Sequence, residues 1–391
     1  MIIHVVKPGE TIFGIANFYG VNMQRLITDN GLQDITTLVV GQTIVILFPV
    51  QTHVVTAGET MESVAAEYGI TTTQLLQNNP TLIERTTLII GEVLVITYEE
   101  NPLGLKAINS YAYQYINELI LRKALPYITY VTIFGYGFTL EGELIPTDDE
   151  MVLELALESN VAPIMLLSSI TEEGNFSTEK ASALFGDVVM QNRLIENILQ
   201  TMDEKNYFGL DLDFEFISPE DADNFLSFIR NVTSKLNANG FSVNVDLAPK
   251  TSIDQPGLLY EAHNYAEIGA IANTVLLMTY EWGYVFGPPM AVAPIDQVRR
   301  VVEFAVSQIN PQKIYMGIPN YGYDWPLPFV QGTTEATTIG NVEAVDIARK
   351  YSATILYDEL AQTPFFNYTD ENGIQHVVWF EDARSIEAKL N

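Results

Sequence analysis

Residues 208–215 of this 391-residue chain read Phe-Gly-Leu-Asp-Leu-Asp-Phe-Glu, which places carboxylates at Asp211, Asp213 and Glu215. An extended backbone sends successive side chains to opposite faces, so these acids share one face while Leu210, Leu212 and Phe214 share the other. Like charges held side by side raise at least one pKa and can keep a carboxylic acid protonated near neutral pH. A group of that kind serves general acid catalysis. A calcium loop would need a glycine at a sharp turn and ligands spread through non-extended backbone, and strict alternation with apolar residues offers neither. A solvated acidic face is the other alternative, and the flanks argue against it. Residues 191–205 carry apolar side chains at helical spacing, and Ser218-Pro219-Glu220 opens a second amphipathic segment that runs to about Leu236. A strand between two helices belongs to a helix-covered parallel sheet, so the acids are expected to point into an enclosed space.

The elements that must position this row are bounded by composition. The length suits a barrel plus small modules with a large core. With no cysteine, disulfides and thiolate metal sites are excluded and stability must come from packing. A formal charge of −30 excludes nucleic acid as a partner, because phosphate binding relies on Lys and Arg. No apolar run reaches membrane-spanning length, and the opening Met-Ile-Ile-His-Val-Val-Lys-Pro-Gly lacks a basic region followed by a long apolar core, so a soluble protein without a classical export signal is expected. The four histidines, His4, His53, His263 and His376, form no triad or zinc spacing. Acid catalysis by a carboxylic acid needs no metal or organic cofactor, and none is expected.

An internal repeat opens the chain. His4-Val5-Val6-Lys7-Pro8-Gly9-Glu10-Thr11 is echoed by His53-Val54-Val55-Thr56-Ala57-Gly58-Glu59-Thr60, and the echo continues through Tyr19-Gly20 and Tyr68-Gly69, Asn30 and Asn79, and Gly41 and Gly91. Each copy reads as strand, Gly-Glu-Thr turn, two short helices and closing strand, with modules at 1–49 and 51–98. Each resembles a LysM module over its whole length. The resemblance implies a shallow groove for N-acetylglucosamine-containing glycans such as peptidoglycan or chitin. It would be built from Gly9, Thr11, Ile12 and Asn30 in the first copy and Gly58, Thr60, Met61 and Asn79 in the second. Gly, Thr and Asn at such places also make turns and helix caps.

Glu99-Glu100-Asn101-Pro102 reads as a linker. Beyond it, from residue 101 to 391, strand-like segments at 106–113, 127–136, 162–167, 209–214, 242–247, 274–280, 313–319 and 377–380 alternate with helical ones. Eight strand-helix units predict an α/β fold, a (β/α)8 TIM barrel, with an α+β insertion at about 324–376 between the seventh and eighth strands. Active sites of such barrels lie at the C-terminal strand ends, where Glu215 falls.

The segment around Glu215 resembles the Asp-Gly-x-Asp-x-Asp-x-Glu signature of family 18 glycoside hydrolases. Met278-Thr279-Tyr280-Glu281-Trp282, Gly317-Ile318-Pro319-Asn320-Tyr321 and Trp379 agree with the same family. Phe208 replaces the first acid of the signature, which is expected to retune Asp211, and Glu281 stands where many members have aspartate. The resemblance implies a retaining, substrate-assisted mechanism. Glu215 would protonate the glycosidic oxygen and Asp213 would hold the acetamido N–H. Asp211 would share charge or a proton with Asp213, Tyr280 would hold the acetamido oxygen, and Trp379 would floor the sugar. Glu281, Trp282, Asn320 and Tyr321 would be further substrate contacts. Two LysM-like modules before such a barrel, together with residues 278–294, resemble spore cortex-lytic N-acetylglucosaminidases of endospore-forming bacteria. That resemblance implies a peptidoglycan substrate and a place in the spore. A chitinase shares the acetamido chemistry, and a glycan-binding or coat protein with a silent barrel is the alternative of another class.

Overall fold

The computed structural model describes residues 1–32, 36–99, 104, 106–170 and 176–391. Glu100, Asn101 and Pro102 of the expected linker lie outside the described residues. The chain divides into two compact units, one of residues 106–279 with 299–317, the other of residues 1–105 with 280–298 and 318–391.

The first unit is built on seven parallel strands whose spatial order follows the sequence: Asn109–Tyr113, Tyr130–Phe138, Ala162–Ser168, Gly209–Asp213, Ser242–Leu247, Thr274–Leu277 and Ile314–Met316. Each strand pairs with the next in parallel register, with helices on the connections, and this makes the curled, singly wound sheet of an α/β barrel. In the fourth strand every residue is buried. Phe214, just past it, packs among Phe138, Phe185, Phe225 and Phe228, so the apolar side of the alternation lies under the helices Thr178–Gly186 and Ala222–Ala238. Asp187 caps the 18-residue helix Val188–Lys205 by accepting from the amides of Val189 and Met190, and Asn206 closes it in the left-handed region.

The second unit contains the repeats and a five-stranded antiparallel sheet in the order Thr337–Gly340, Tyr321–Leu327, Gln375–Trp379, Thr363–Thr369, Leu356–Asp358. The segment expected at 377–380 is therefore a strand, found at Gln375–Trp379. Its ladder partners are antiparallel, Tyr321–Leu327 on one side and Thr363–Thr369 on the other. Both edges of that strand are occupied by these antiparallel partners, and among the described residues the parallel sheet has seven strands.

Each repeat is a two-stranded sheet enclosing two helices. The first runs Ile2–Val5, Ile12–Tyr19, Met23–Asp29, Thr43–Ile46, and the second Pro49–Val54, Met61–Tyr68, Thr72–Asn78, Val93–Tyr98. The two copies meet at Arg25, whose guanidinium pairs with Asp29 at 2.8 Å, donates to Asn79 Oδ1 at 3.0 Å, and also contacts the Asn78 carbonyl and the Tyr98 hydroxyl. The loop before the last strand of the first copy packs into the core of the antiparallel sheet. Val39 sits with Phe366, Val378 and Phe380, Ile355 N–H donates to Val40 O at 2.9 Å, and Arg384 donates to Gly41 O at 3.3 Å. In the second copy the matching residues Ile89 and Ile90 are exposed. No helix among the described residues is long and apolar enough to cross a membrane.

Candidate active site

Asp211 and Asp213 stand together on the inner face of the fourth strand, both buried, and Glu215 lies two residues beyond its end, half-buried. Asp211 accepts from Tyr111 Oη and from Asn244 Nδ2, each at 2.7 Å. The same two donors reach a fourth acid, Asp246 on the fifth strand, at 3.3 and 3.1 Å. Thr274 Oγ1 orients the Asn244 amide by donating to its Oδ1 at 2.8 Å. Asp213 has no such company: its Oδ1 is buried without a hydrogen-bond partner.

The electrostatics follow from this geometry. Burial first, then the charges of Glu215 and Asp211, push Asp213 well above the ordinary carboxylate range. Burial also raises Asp211, but its hydrogen bonds from Asn244 and Tyr111 act against the rise. Asp211 is thus the acceptor of the group, and burial with the neighbouring charges favours the protonated form of Asp213. At the lip of the first strand Tyr113 stacks between Phe134 at 4.9 Å and Tyr115 at 5.1 Å, and burial raises its phenol.

The backbone around Glu215 is held from behind. His263, fully buried, accepts the Ala248 amide on Nδ1 at 3.0 Å and therefore carries its proton on Nε2, which donates to Phe214 O at 3.2 Å. Burial lowers its pKa to about 4. Phe216, directly after Glu215, has φ +53°, a conformation that costs a bulky residue energy and is sustained only by its surroundings. Thr178 Oγ1 donates to its carbonyl at 2.7 Å.

Phe208 stands at the first position of the signature. It precedes the strand, is about half exposed at 48%, and lies against Tyr130 with ring centroids 5.5 Å apart. Asp211 is tuned by Tyr111, Asn244 and Asp246.

The remaining predicted contacts fall in the other unit. Tyr280, Tyr321 and Trp379 pack around one apolar cluster with Tyr323, Trp325 and Val292. Trp379 is half-buried and stacks on Phe365 at 4.6 Å. Glu281 has φ +65° and accepts from Tyr321 Oη at 2.6 Å and Tyr323 Oη at 2.8 Å. Trp282 is half-buried, its backbone N–H donating to Val292 O at 3.1 Å, and Asn320 is exposed.

In the repeats, Gly9 and Gly58 are exposed turn residues with φ near +85°, and Thr11 and Thr60 cap the first helix of each copy. Ile12 and Met61 are buried in the module cores. Asn30 and Asn79 bond inward, each side chain accepting from one closing-strand amide (Val45, Val95) and donating to the carbonyl of that same residue. Asn30 and Asn79 thus tie the closing strand of each module to its second helix, and Ile12 and Met61 fill the module cores. His4 and His53 have matching surroundings, Tyr and Glu at 3.1 and 2.9 Å. Among the described residues His53, Glu59 and Glu67 bring three ligand-type atoms within 4.8 Å of one another; the first copy has Phe18 in place of Glu67 and keeps the same His-Glu pair.

Sequence reasoning missed Tyr111, Asn244, Asp246 and His263. The first three obey the same period of two as the acid row, in Asn109-Ser110-Tyr111 and Asn244-Val245-Asp246, but which face meets the row is set by strand register.

The family model described as glycosyl hydrolases family 18 matches residues 147–391, and the LysM domain model matches residues 4–47 and 53–97. The chain belongs to family 18 of the glycosyl hydrolases and carries two LysM domains, an architecture of glycan binding joined to glycoside hydrolysis.

It is similar to the cortical fragment-lytic enzyme of Bacillus anthracis, 40% identical over 396 residues, covering 99% of this chain and 90% of the relative. The enzyme of the same description from Bacillus subtilis (strain 168) is 38% identical over 399 residues, covering 100% and 91%. The crystal structure of the Bacillus cereus spore cortex-lytic enzyme SleL matches with a TM-score of 0.81 at 38% identity, covering 99% of this chain and 90% of that one.

Proposed function

We propose that this chain hydrolyses spore cortex peptidoglycan, cleaving β-1,4 bonds after N-acetylglucosamine with retention. The observation that carries the reading is the acid row, in which Asp211 and Asp213 are buried side by side on the fourth strand and Glu215 lies just past its end. Glu215 gives its proton to the glycosidic oxygen as that bond breaks, while the acetamido carbonyl oxygen of the sugar bonds to the anomeric carbon. Asp213 orients the acetamido N–H and shares the positive charge that develops. Water then attacks the anomeric carbon, the carbonyl oxygen departs, and the water proton returns to Glu215. By the family resemblance Tyr280 takes the acetamido oxygen, Trp379 the sugar face, and Glu281, Trp282, Asn320 and Tyr321 the flanking groups.

The two modules, 1–49 and 51–98, bind the glycan through Gly9, Thr11, Gly58 and Thr60, the exposed members of the expected grooves. Residues 101–391 carry out the chemistry. Two relatives whose descriptions name the cortex support both the substrate and a place in the spore.

Incubation of the purified protein and its Glu215→Gln variant with cortex fragments, read by mass spectrometry, tests this. New N-acetylglucosamine reducing ends from the wild type alone support the proposal. Cleavage of chitin oligomers but not cortex replaces the substrate with chitin, and cleavage of neither favours a silent glycan-binding barrel.

A further inference from the structure

Asp246 lies outside the Asp-x-Asp-x-Glu row, yet it shares both donors of Asp211 in a space closed to water, being 3% exposed. Tyr111 has one hydroxyl proton and Asn244 two amide protons, so two of the three are committed to Asp211 and one remains for Asp246. Two anions bridged in this way would repel without solvent between them and leave most of their lone pairs unmet. A proton on Asp246, directed at Asp211, removes the repulsion and adds a third donor to Asp211.

We propose that Asp246 is a positioning residue of the acid row, a neutral hydrogen-bond donor that keeps Asp211 as the fixed acceptor beneath Asp213. The direction of its titration agrees: burial, then the charges of Asp211 and Asp213, raise it well above the carboxylate range. The titratable groups facing it are Tyr111 from the first strand and Asp211 and Asp213 from the fourth; Asn244 on its own strand and Thr274 on the sixth carry no charge. In this chain the family's first signature acid is Phe208, so the third buried acid of the cluster comes from the neighbouring strand. One negative charge is thereby held under Asp213, and this sets the pH at which the row gains or loses its working protonation.

The inference rests on the glycosidase reading for its kinetic readout, and carboxyl-carbon NMR on aspartate-labelled protein supplies a second readout independent of turnover. With cortex fragments as substrate, Asp246→Asn keeps a neutral donor and is expected to keep the pH profile of kcat. Asp246→Ala removes the donor, makes Asp211 easier to protonate, and moves the acid limb up by about one pH unit. In the wild type the carboxyl signal lost in Asp246→Asn stays in its protonated position at neutral pH.

A downward shift of the acid limb in Asp246→Asn, or an ionised Asp246 signal at neutral pH, shows an anion and overturns the proposal. A wild-type profile in Asp246→Ala also overturns it, showing a bystander. Absence of hydrolysis in every form sinks the proposed function, and the NMR titration still decides the state of Asp246.

Discussion

The Nε2–H of His263 donates to the carbonyl oxygen of Phe214, the residue immediately before Glu215, at 3.2 Å. Because Nδ1 is occupied by the Ala248 amide, one neutral ring ties the end of the fifth strand to the peptide that carries the proposed acid. A glutamine at 263 can place an N–H near the Nε2 position, whereas an asparagine reaches only as far as Nδ1. His263→Asn is expected to lower kcat by about tenfold with little change in KM, in keeping with a misplaced general acid, and His263→Gln to retain most of the rate. Equal losses in both variants, with KM rising too, would show a packing role instead.

The same ring has a signature in stability against pH. Its pKa is about 4 in the folded protein against 6.5 unfolded, so between these values the unfolded chain binds more protons. Stability contributed by the neutral ring is full above about 6.5 and is lost as pH falls towards 4, a span worth on the order of 3 kcal/mol. Asp213 and Asp246 act with the opposite sign, since their raised pKa values add stability at low pH that is lost as pH rises. Urea midpoints of wild type and His263→Gln across pH 4.5 to 7 separate the two, and parallel curves would contradict the histidine's part.

Gly41 and Gly91 hold the same place in the two repeats and nearly the same φ, +87° and +88°. A Cβ at Gly41 would meet Ile355 O at 1.9 Å, while one at Gly91 meets nothing within 4 Å. Gly91→Ala should cost only the left-handed backbone penalty, roughly 1 kcal/mol, and Gly41→Ala about 2–4 kcal/mol once the clash is added. Thermal denaturation checks the difference, and equal shifts would mean that the first repeat is not seated on the antiparallel sheet in solution.

Glu281 keeps an unfavourable φ of +65° while accepting two tyrosine hydroxyls. Removing the acceptor in Glu281→Ala is expected to cost about 1–2 kcal/mol, whereas Glu281→Gln retains an acceptor and costs less. If Glu281 is also a sugar contact, KM for the glycan should rise in the alanine variant more than in the glutamine one. Chemical denaturation beside steady-state kinetics distinguishes the two effects.

Much of the architecture is local and therefore legible from residue order. The repeat period, the strand-helix alternation and the acid row with its phenylalanine and leucine backing each depend on neighbours a few residues apart, and the strand Ser242–Leu247 lies where the sequence predicts it. The Phe208 departure was visible too, but its consequence was not. Whether a residue before a strand points at the acids or away from them depends on strand tilt, and its ring lies on Tyr130.

The sequence by itself determined the chemistry available to this protein: three carboxylates in period two, two copies of a glycan-binding module, and no thiol. Only the tertiary structure decided which partners tune that chemistry. Tyr111, Asn244, Asp246 and His263 come from segments as much as 100 residues from Asp211, and parallel register across five strands brings the first three to one site. The same holds for Asn30 and Asn79, which read as groove residues by motif and bond inward once the closing strand is in place. Register and side-chain direction are set by packing the whole sheet against its helices, and no local pattern contains that information.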